Sequence, residues 1–87
     1  MIKIAFTKDF KKSLKKRDNF IQKKVSERIG IFRQDPFNIL LNNHRLHGEY
    51  EGYSSIDITG DFRAIFRYLT DDQVVFYYIG THPELYG

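Results

Sequence analysis

The chain has no cysteine. That excludes a disulfide framework and any thiolate-bound metal. No apolar run comes near the ~20 residues that a membrane span needs. There is no internal repeat, low-complexity segment or linker. The histidines, His44, His47 and His82, lack the paired spacing of a metal site, so neither a metal nor a cofactor is expected. The start, Met1-Ile2-Lys3-Ile4-Ala5-Phe6, alternates as a strand does and has no signal-peptide pattern. A soluble cytoplasmic protein without membrane contact is the default expectation. At 87 residues there is room for one core, hence one domain over residues 1–87.

What the chain does have is aromatic bulk and segregated charge. Eight Phe and six Tyr help a small chain bury enough area. Residues 1–33 carry eleven Lys/Arg against three Asp/Glu, a net +8, while residues 34–87 carry three Arg against eight acidic residues, a net −5. A basic half of this kind suits a polyanion partner or a solvated helical face. Lys11, Lys12, Lys15 and Lys16 recur at helical spacing and share one side. Their mutual repulsion favours contact with solvent or phosphate over burial.

Residues 2–6 read as a strand. Thr7 is a candidate helix N-cap, with Asp9 in the first turn, and Phe10 and Leu14 give that helix an apolar stripe to about Arg17. Asn19 with Gln22 resembles a capping box that starts a second helix. Ile21, Val25, Ile29 and Phe32 then recur at helical spacing until Asp35-Pro36. Residues 35–52 read as loop. Three β signals follow, Tyr53–Ile58, Phe62–Leu69 and Gln73–Ile79, joined by short turns. The order β-α-α-β-β-β predicts an α+β domain: a small antiparallel sheet with a two-helix hairpin packed on one face.

Alternation across the turns sets a register. With a three-residue turn at 59–61, Asp57 faces Arg63. With a two-residue turn at Asp71-Asp72, Phe66 faces Tyr77, Ala64 faces Ile79 and Arg63 faces Gly80. Ile56, Ile58, Phe62, Ala64, Phe66, Val75, Tyr77 and Ile79 then lie under the helices. Ser55, Asp57, Arg63, Arg67, Phe76 and Tyr78 lie opposite, with His82 at the rim of that polar patch. Past the last strand comes Gly80-Thr81-His82-Pro83, which places a histidine on a short restricted loop. Imidazole, with an unperturbed pKa of about 6.5, gives or takes a proton near neutrality.

Four stretches together resemble a known family: Leu41-Asn42-Asn43-His44-Arg45-Leu46-His47-Gly48; Gly52-Tyr53; Gly60-Asp61-Phe62-Arg63-Ala64-Ile65-Phe66-Arg67; and Ile79-Gly80-Thr81-His82-Pro83-Glu84-Leu85-Tyr86. They are similar to the RelE/ParE superfamily of type II toxin–antitoxin toxins, nearest its YafQ-like and RelE/StbE branch. The likeness spans the whole chain, including the element order. H-x-L-x-G followed by G-T-H-x-x-L-[FY] is the specific part. The resemblance implies a RelE-like fold and a ribosome-dependent mRNA endonuclease, or mRNA interferase. In the reaction that the resemblance implies, no metal takes part and the RNA 2′-hydroxyl attacks the adjacent phosphate. It also implies a cognate antitoxin, ribosome and rRNA contacts, and operator DNA reached only through the antitoxin.

Residue by residue, the resemblance implies roles for His44, Asp61, Arg63, His82 and Tyr86 in catalysis. Cleavage of this kind needs a base, an acid and a cation to offset charge on the phosphorane. His82 would be the acid, His44 or Asp61 the base, and Arg63 the cation through its planar fork. Lys11, Lys12, Lys15, Lys16 and Arg67 would contact RNA or ribosome. The chain departs from the family at two positions, Asp57 for a histidine and Tyr78 for an arginine, and both are candidates for supporting roles.

Structural alternatives stand beside each assignment. His44 could be a locally hydrogen-bonded loop residue and His82 a loop cap. Arg63 could simply pair with Asp57. Tyr86 could pin the C-terminus, Asp61 could be a turn residue, and His47 reads as surface. The alternative function is a non-catalytic binder: a ParE-like inhibitor of DNA gyrase or a decayed toxin.

Overall fold

A computed structural model describes residues 1–87. Strand β1 (Lys3–Phe6) leads into α1 (Lys8–Lys15) and α2 (Asn19–Gln34). Strands β2 (His44–Arg45), β3 (Ser54–Asp57), β4 (Phe62–Thr70) and β5 (Gln73–Thr81) follow, and α3 (His82–Tyr86) ends the chain. The sheet order is β1-β5-β4-β3-β2. The α+β class and the expected order stand, with a short strand and a short helix added.

The sheet is mixed, not purely antiparallel. β1 runs parallel to β5, from Lys3↔Gln73 to Phe6↔Phe76. Alternation in a sequence marks a strand but not its neighbour. Here the helices return the chain across one face, and α1 is stitched to β5: Thr7 Oγ1 donates to the Tyr77 carbonyl at 3.0 Å, and Ser13 Oγ to that of Ile79 at 3.2 Å. Thr7 caps α1 as expected, accepting from Phe10 N at 3.1 Å. The cap of α2 is Asp18, not Asn19, with its Oδ1 accepting from Ile21 N at 2.9 Å. Asp18 sits one residue earlier and places its acceptor over the open end of the helix.

Two compensating bulges correct the register of the last hairpin. Pairing runs Phe62↔Thr81 to Ile65↔Tyr78, then Phe66↔Phe76 to Tyr68↔Val74, and closes at Thr70↔Gln73. Tyr77 and Leu69 are the extra residues. The expected pairs Arg63↔Gly80 and Ala64↔Ile79 hold, but Phe66 meets Phe76 instead of Tyr77. Val74 and Phe76 therefore enter the core, while Val75 and Tyr77 are only partly buried. Phe62 packs at the core margin.

The core lies between the helices and this face. Phe10 of α1 and Ile21, Val25, Ile29 and Phe32 of α2 are buried on Ile56, Ile58, Ala64, Phe66 and Ile79. Phe32 meets Phe66 and Phe76 edge-on, at centroid distances of 4.9 and 5.4 Å, the orientation that aromatic quadrupoles favour. Each such side chain contributes about 1.5–3 kcal/mol through burial.

The opposite face is not an open polar surface. Leu46, Ile65 and Ser55 are buried outside the main core, and Tyr53, from the segment between β2 and β3, meets the rings of Tyr77 and Tyr78 on β5. Ser55 is 0% exposed and its hydroxyl has no hydrogen-bond partner. A buried unpaired hydroxyl carries its full desolvation cost. Ser55→Ala should therefore stabilise the fold by about 1 kcal/mol. In a domain of this size that corresponds to a thermal midpoint roughly 4–8 °C higher. An unchanged or lower midpoint in a thermal melt would show that the hydroxyl is satisfied.

Candidate active site

The C-terminal histidine does not sit on a loop. Thr81-His82-Pro83-Glu84 is a capping box that starts α3: Glu84 Oε1 accepts from Thr81 N at 2.7 Å, and Thr81 Oγ1 from Glu84 N at 3.4 Å. Pro83, in the first turn, needs no donor and suits this start. His82 and Tyr86 lie one turn apart, with ring centroids separated by 4.7 Å. Three contacts from elsewhere hold the helix. Arg17 donates to both Glu84 carboxylate oxygens at 3.0 and 3.3 Å. Tyr50 OH donates to the Leu85 carbonyl at 2.9 Å. His82 N donates to the Asp61 carbonyl at 3.2 Å. Gly80 lets β5 pass close beneath, because a Cβ there would lie 3.0 Å from Glu84 Oε1.

The Thr81 N–H, followed by the Arg17 guanidinium, holds the Glu84 carboxyl below the usual carboxylate range. A depressed folded-state pKa contributes stability that is complete above the unfolded value of about 4.3 and is lost as pH falls through the folded value. The near-UV circular dichroism of the tyrosines around α3 should therefore weaken below about pH 4, ahead of global unfolding. A signal that stays flat until the whole chain unfolds would remove Glu84 from the anchoring of α3.

The first histidine is oriented by its own loop. Asn42 is left-handed (φ 48°), a conformation asparagine tolerates. Its carbonyl lies 2.7 Å from His44 Nδ1. A carbonyl oxygen only accepts, so Nδ1 carries the proton in this contact. Nε2 of the neutral ring is then left with its lone pair. β2 holds the residue in place by pairing His44 with Ser55.

Arg63 is clamped. Its Nε lies 3.0 Å from Asp57 Oδ1, across the expected β3–β4 pair. Nη1 donates to the carbonyls of Thr59, Gly60 and Phe62 at 3.0–3.2 Å. Asp57 Oδ1 is buried without an aligned hydrogen bond, so the Nε contact is an ion pair and not a directed bond. Asn42 Nδ2 donates weakly to Asp57 Oδ2 at 3.4 Å. Of the guanidinium nitrogens, Nη2 alone has no protein partner.

A shallow cleft of about 360 Å³ is lined by Asn42, His44, Leu46, Arg63, His82 and Tyr86. Four residues singled out by sequence thus meet in one place. Asp61 does not join them: it sits exposed on the β3–β4 turn and offers His82 its backbone carbonyl. Arg67 lies outside the cleft, its guanidinium 5.5 Å from the centre of the Tyr53 ring. Tyr78, 39% exposed, stands beside Tyr50, whose ring also meets Tyr53 and Tyr86 edge-on. Sequence reading missed Tyr50, because nothing local in a loop residue announces a partner 35 positions away. Burial, followed by the neighbouring Tyr78 and Tyr86, pushes the Tyr50 phenol up.

The larger cavity, about 470 Å³ between α1 and α2, is floored by Phe6, Phe10, Leu14, Val25 and Ile29 and holds no histidine. Lys11, Lys12, Lys15 and Lys16 are all exposed along α1 and just beyond it. No three His, Asp or Glu side chains converge as a metal site would require, and no helix is long and apolar enough to cross a membrane.

A family model described as "Bacterial toxin of type II toxin-antitoxin system, YafQ" matches residues 2–87. The chain belongs to the YafQ family. Solved structures share its fold. YafQ from E. coli strain BL21(DE3) superposes with a TM-score of 0.77 at 23% identity, covering 100% of both chains. YafQ in the E. coli DinJ–YafQ toxin–antitoxin complex gives 0.77 at 24% identity, over 99% of this chain and 98% of the other. In the RelB–RelE antitoxin–toxin complex from Methanococcus jannaschii the match is 0.73 at 23% identity, over 94% of each chain. No curated protein sequence matches the chain. As a YafQ-family protein it falls among the toxins of type II toxin–antitoxin systems, and the fold it shares with the RelB–RelE complex extends that likeness to the architecture.

Proposed function

We propose that this YafQ-family toxin is an mRNA endonuclease that cuts on the ribosome, without metal, through the RNA 2′-hydroxyl. The convergence of His44, Arg63 and His82 on one cleft carries this function. His44 Nε2 takes the proton from the 2′-hydroxyl. The 2′-oxygen then bonds to the adjacent phosphorus, the bond from phosphorus to the 5′-oxygen breaks, and His82 gives that oxygen its proton. The products are a 2′,3′-cyclic phosphate and a 5′-hydroxyl, with atoms and charge balanced. Arg63 Nη2 faces the charge that builds on the phosphorane. Tyr86, against the His82 ring, limits how that ring turns. The tautomer set by Asn42 favours His44 over Asp61 as base. Asp61 then serves through its backbone carbonyl.

Asp57 favours a second function, that of a non-catalytic binder such as a gyrase inhibitor. It neutralises part of the Arg63 charge in the position where the resemblance calls for a histidine. RNA chemistry separates the two. A single 2′-deoxy residue at the cut position of an mRNA on programmed ribosomes should abolish cleavage there. Equal cleavage of the deoxy substrate would refute the mechanism.

The partners follow the charge. The exposed lysines on and near α1 are proposed to meet rRNA or mRNA phosphates, with Arg67 contributing from the sheet. A cognate antitoxin is proposed to cover the toxin, acidic or amphipathic where it meets the basic helices, and operator DNA is contacted through it alone. The proposed compartment is the cytoplasm. Reversing Lys11, Lys12, Lys15 and Lys16 to glutamate should weaken ribosome association by about tenfold or more at low salt, with the difference shrinking as salt rises. Sedimentation across a salt series checks this, and unchanged association would leave those lysines merely solvated.

A further inference from the structure

We propose that Arg17, between α1 and α2, is a positioning residue for the active site, holding α3 so that His82 and Tyr86 face the cleft. This rests on the endonuclease function proposed above, of which Arg17 is no catalytic part. It touches neither the cleft lining nor any reacting group.

A five-residue helix does not hold its own shape in water, so the placement of α3 depends on its tethers. The Arg17 tether is unusually well prepared. Its backbone is fixed by Gln22 Nε2 donating to the Arg17 carbonyl at 2.8 Å. Its guanidinium lies over the Phe62 ring, 5.0 Å from the centroid. Two nitrogens then meet both Glu84 oxygens at 3.0 and 3.3 Å, the fork-on-fork geometry that a lysine does not reproduce. The side chain is 21% exposed and its Nε is buried. Exposed ion pairs are weak largely because two long chains must be ordered; here one chain is already ordered. Glu84 closes the capping box with the same Oε1 that Arg17 engages. One contact therefore fixes both the cap and the direction of the helix. Gly80 adds to this by keeping Glu84 close against β5.

The test uses the full chain with Arg17→Gln, Arg17→Lys, Glu84→Gln and the double variant Arg17→Gln/Glu84→Gln. Glu84→Gln keeps an oxygen for Thr81 N and loses the charge. The first readout is the nuclear Overhauser effect between the His82 and Tyr86 rings, measured without RNA. The second is kcat and KM for cleavage on ribosomes. In Arg17→Gln and in Glu84→Gln the equilibrium constant for docking α3 should fall about fivefold, the upper end of what one ion pair contributes at a surface, and the ring cross-peak should weaken with it. The double variant should lose no more than either single. kcat should fall by no more than the same factor, about fivefold, with KM nearly constant, as loss of a placed proton donor requires. Arg17→Lys should recover only a minor part. An unchanged cross-peak in folded Arg17→Gln overturns the proposal, and so does a weakened cross-peak with unchanged kcat. A wild-type chain that cuts no RNA fails the proposed endonuclease function instead, and the cross-peak still decides whether Arg17 positions His82.

Discussion

Replacing His82 with alanine should lower single-turnover mRNA cleavage on programmed ribosomes by about 10²–10⁴-fold, the usual contribution of a positioned general acid. Stability should barely change, by no more than about 0.5 kcal/mol, because the side chain is exposed. The bond that His82 makes to the Asp61 carbonyl comes from its backbone and survives the substitution. The Tyr86 ring loses its neighbour but keeps Tyr50, 5.6 Å away. A large loss of rate in a chain with an unchanged thermal melt is therefore the signature of chemistry. A loss of rate that follows a falling melting temperature would make His82 a part of the helix cap instead.

Arg63→Ala should lose both properties. Removing a donor aimed at developing charge typically costs about 10²–10³ in rate. The substitution also strips Asp57 of its ion pair while Oδ1 stays buried without an aligned bond, which costs about 1–3 kcal/mol. The double variant Arg63→Ala/Asp57→Ala should regain most of the stability and none of the rate. Melting curves and cleavage rates on the three variants separate the two roles. If the double variant regains cleavage, Arg63 serves only to neutralise Asp57.

Much of this was legible in the sequence where patterns are local. Ile21, Val25, Ile29 and Phe32 announce one buried helix face by spacing alone, and all four are buried. Asp57↔Arg63 and Arg63↔Gly80 follow from counting across short turns, and both hold. The same counting fails from Phe66 to Tyr68, because bulges at Tyr77 and Leu69 shift the register and then restore it. The shift brings Phe76 among the rings of Phe10, Phe32 and Phe66, a packing that alternation along one strand does not reveal. The parallel seat of β1 and the two-residue β2 depend on long-range partners that alternation does not name. Helix α3 was written locally, as Thr81-x-x-Glu84, and was overlooked because Gly80 and Pro83 read as punctuation. For the site, His44 and His82 lie 38 positions apart, and only the resemblance put them in one reaction. The folded chain adds their shared cleft, the tautomer of His44 and the anchors of α3.

Whether this toxin cuts mRNA is tested most directly by mapping mRNA 5′ ends by primer extension after brief expression of the chain. New ends within translated codons, absent from cells expressing His82→Ala, are the expected result. Growth arrest without new ends, together with gyrase-dependent DNA damage, would contradict it.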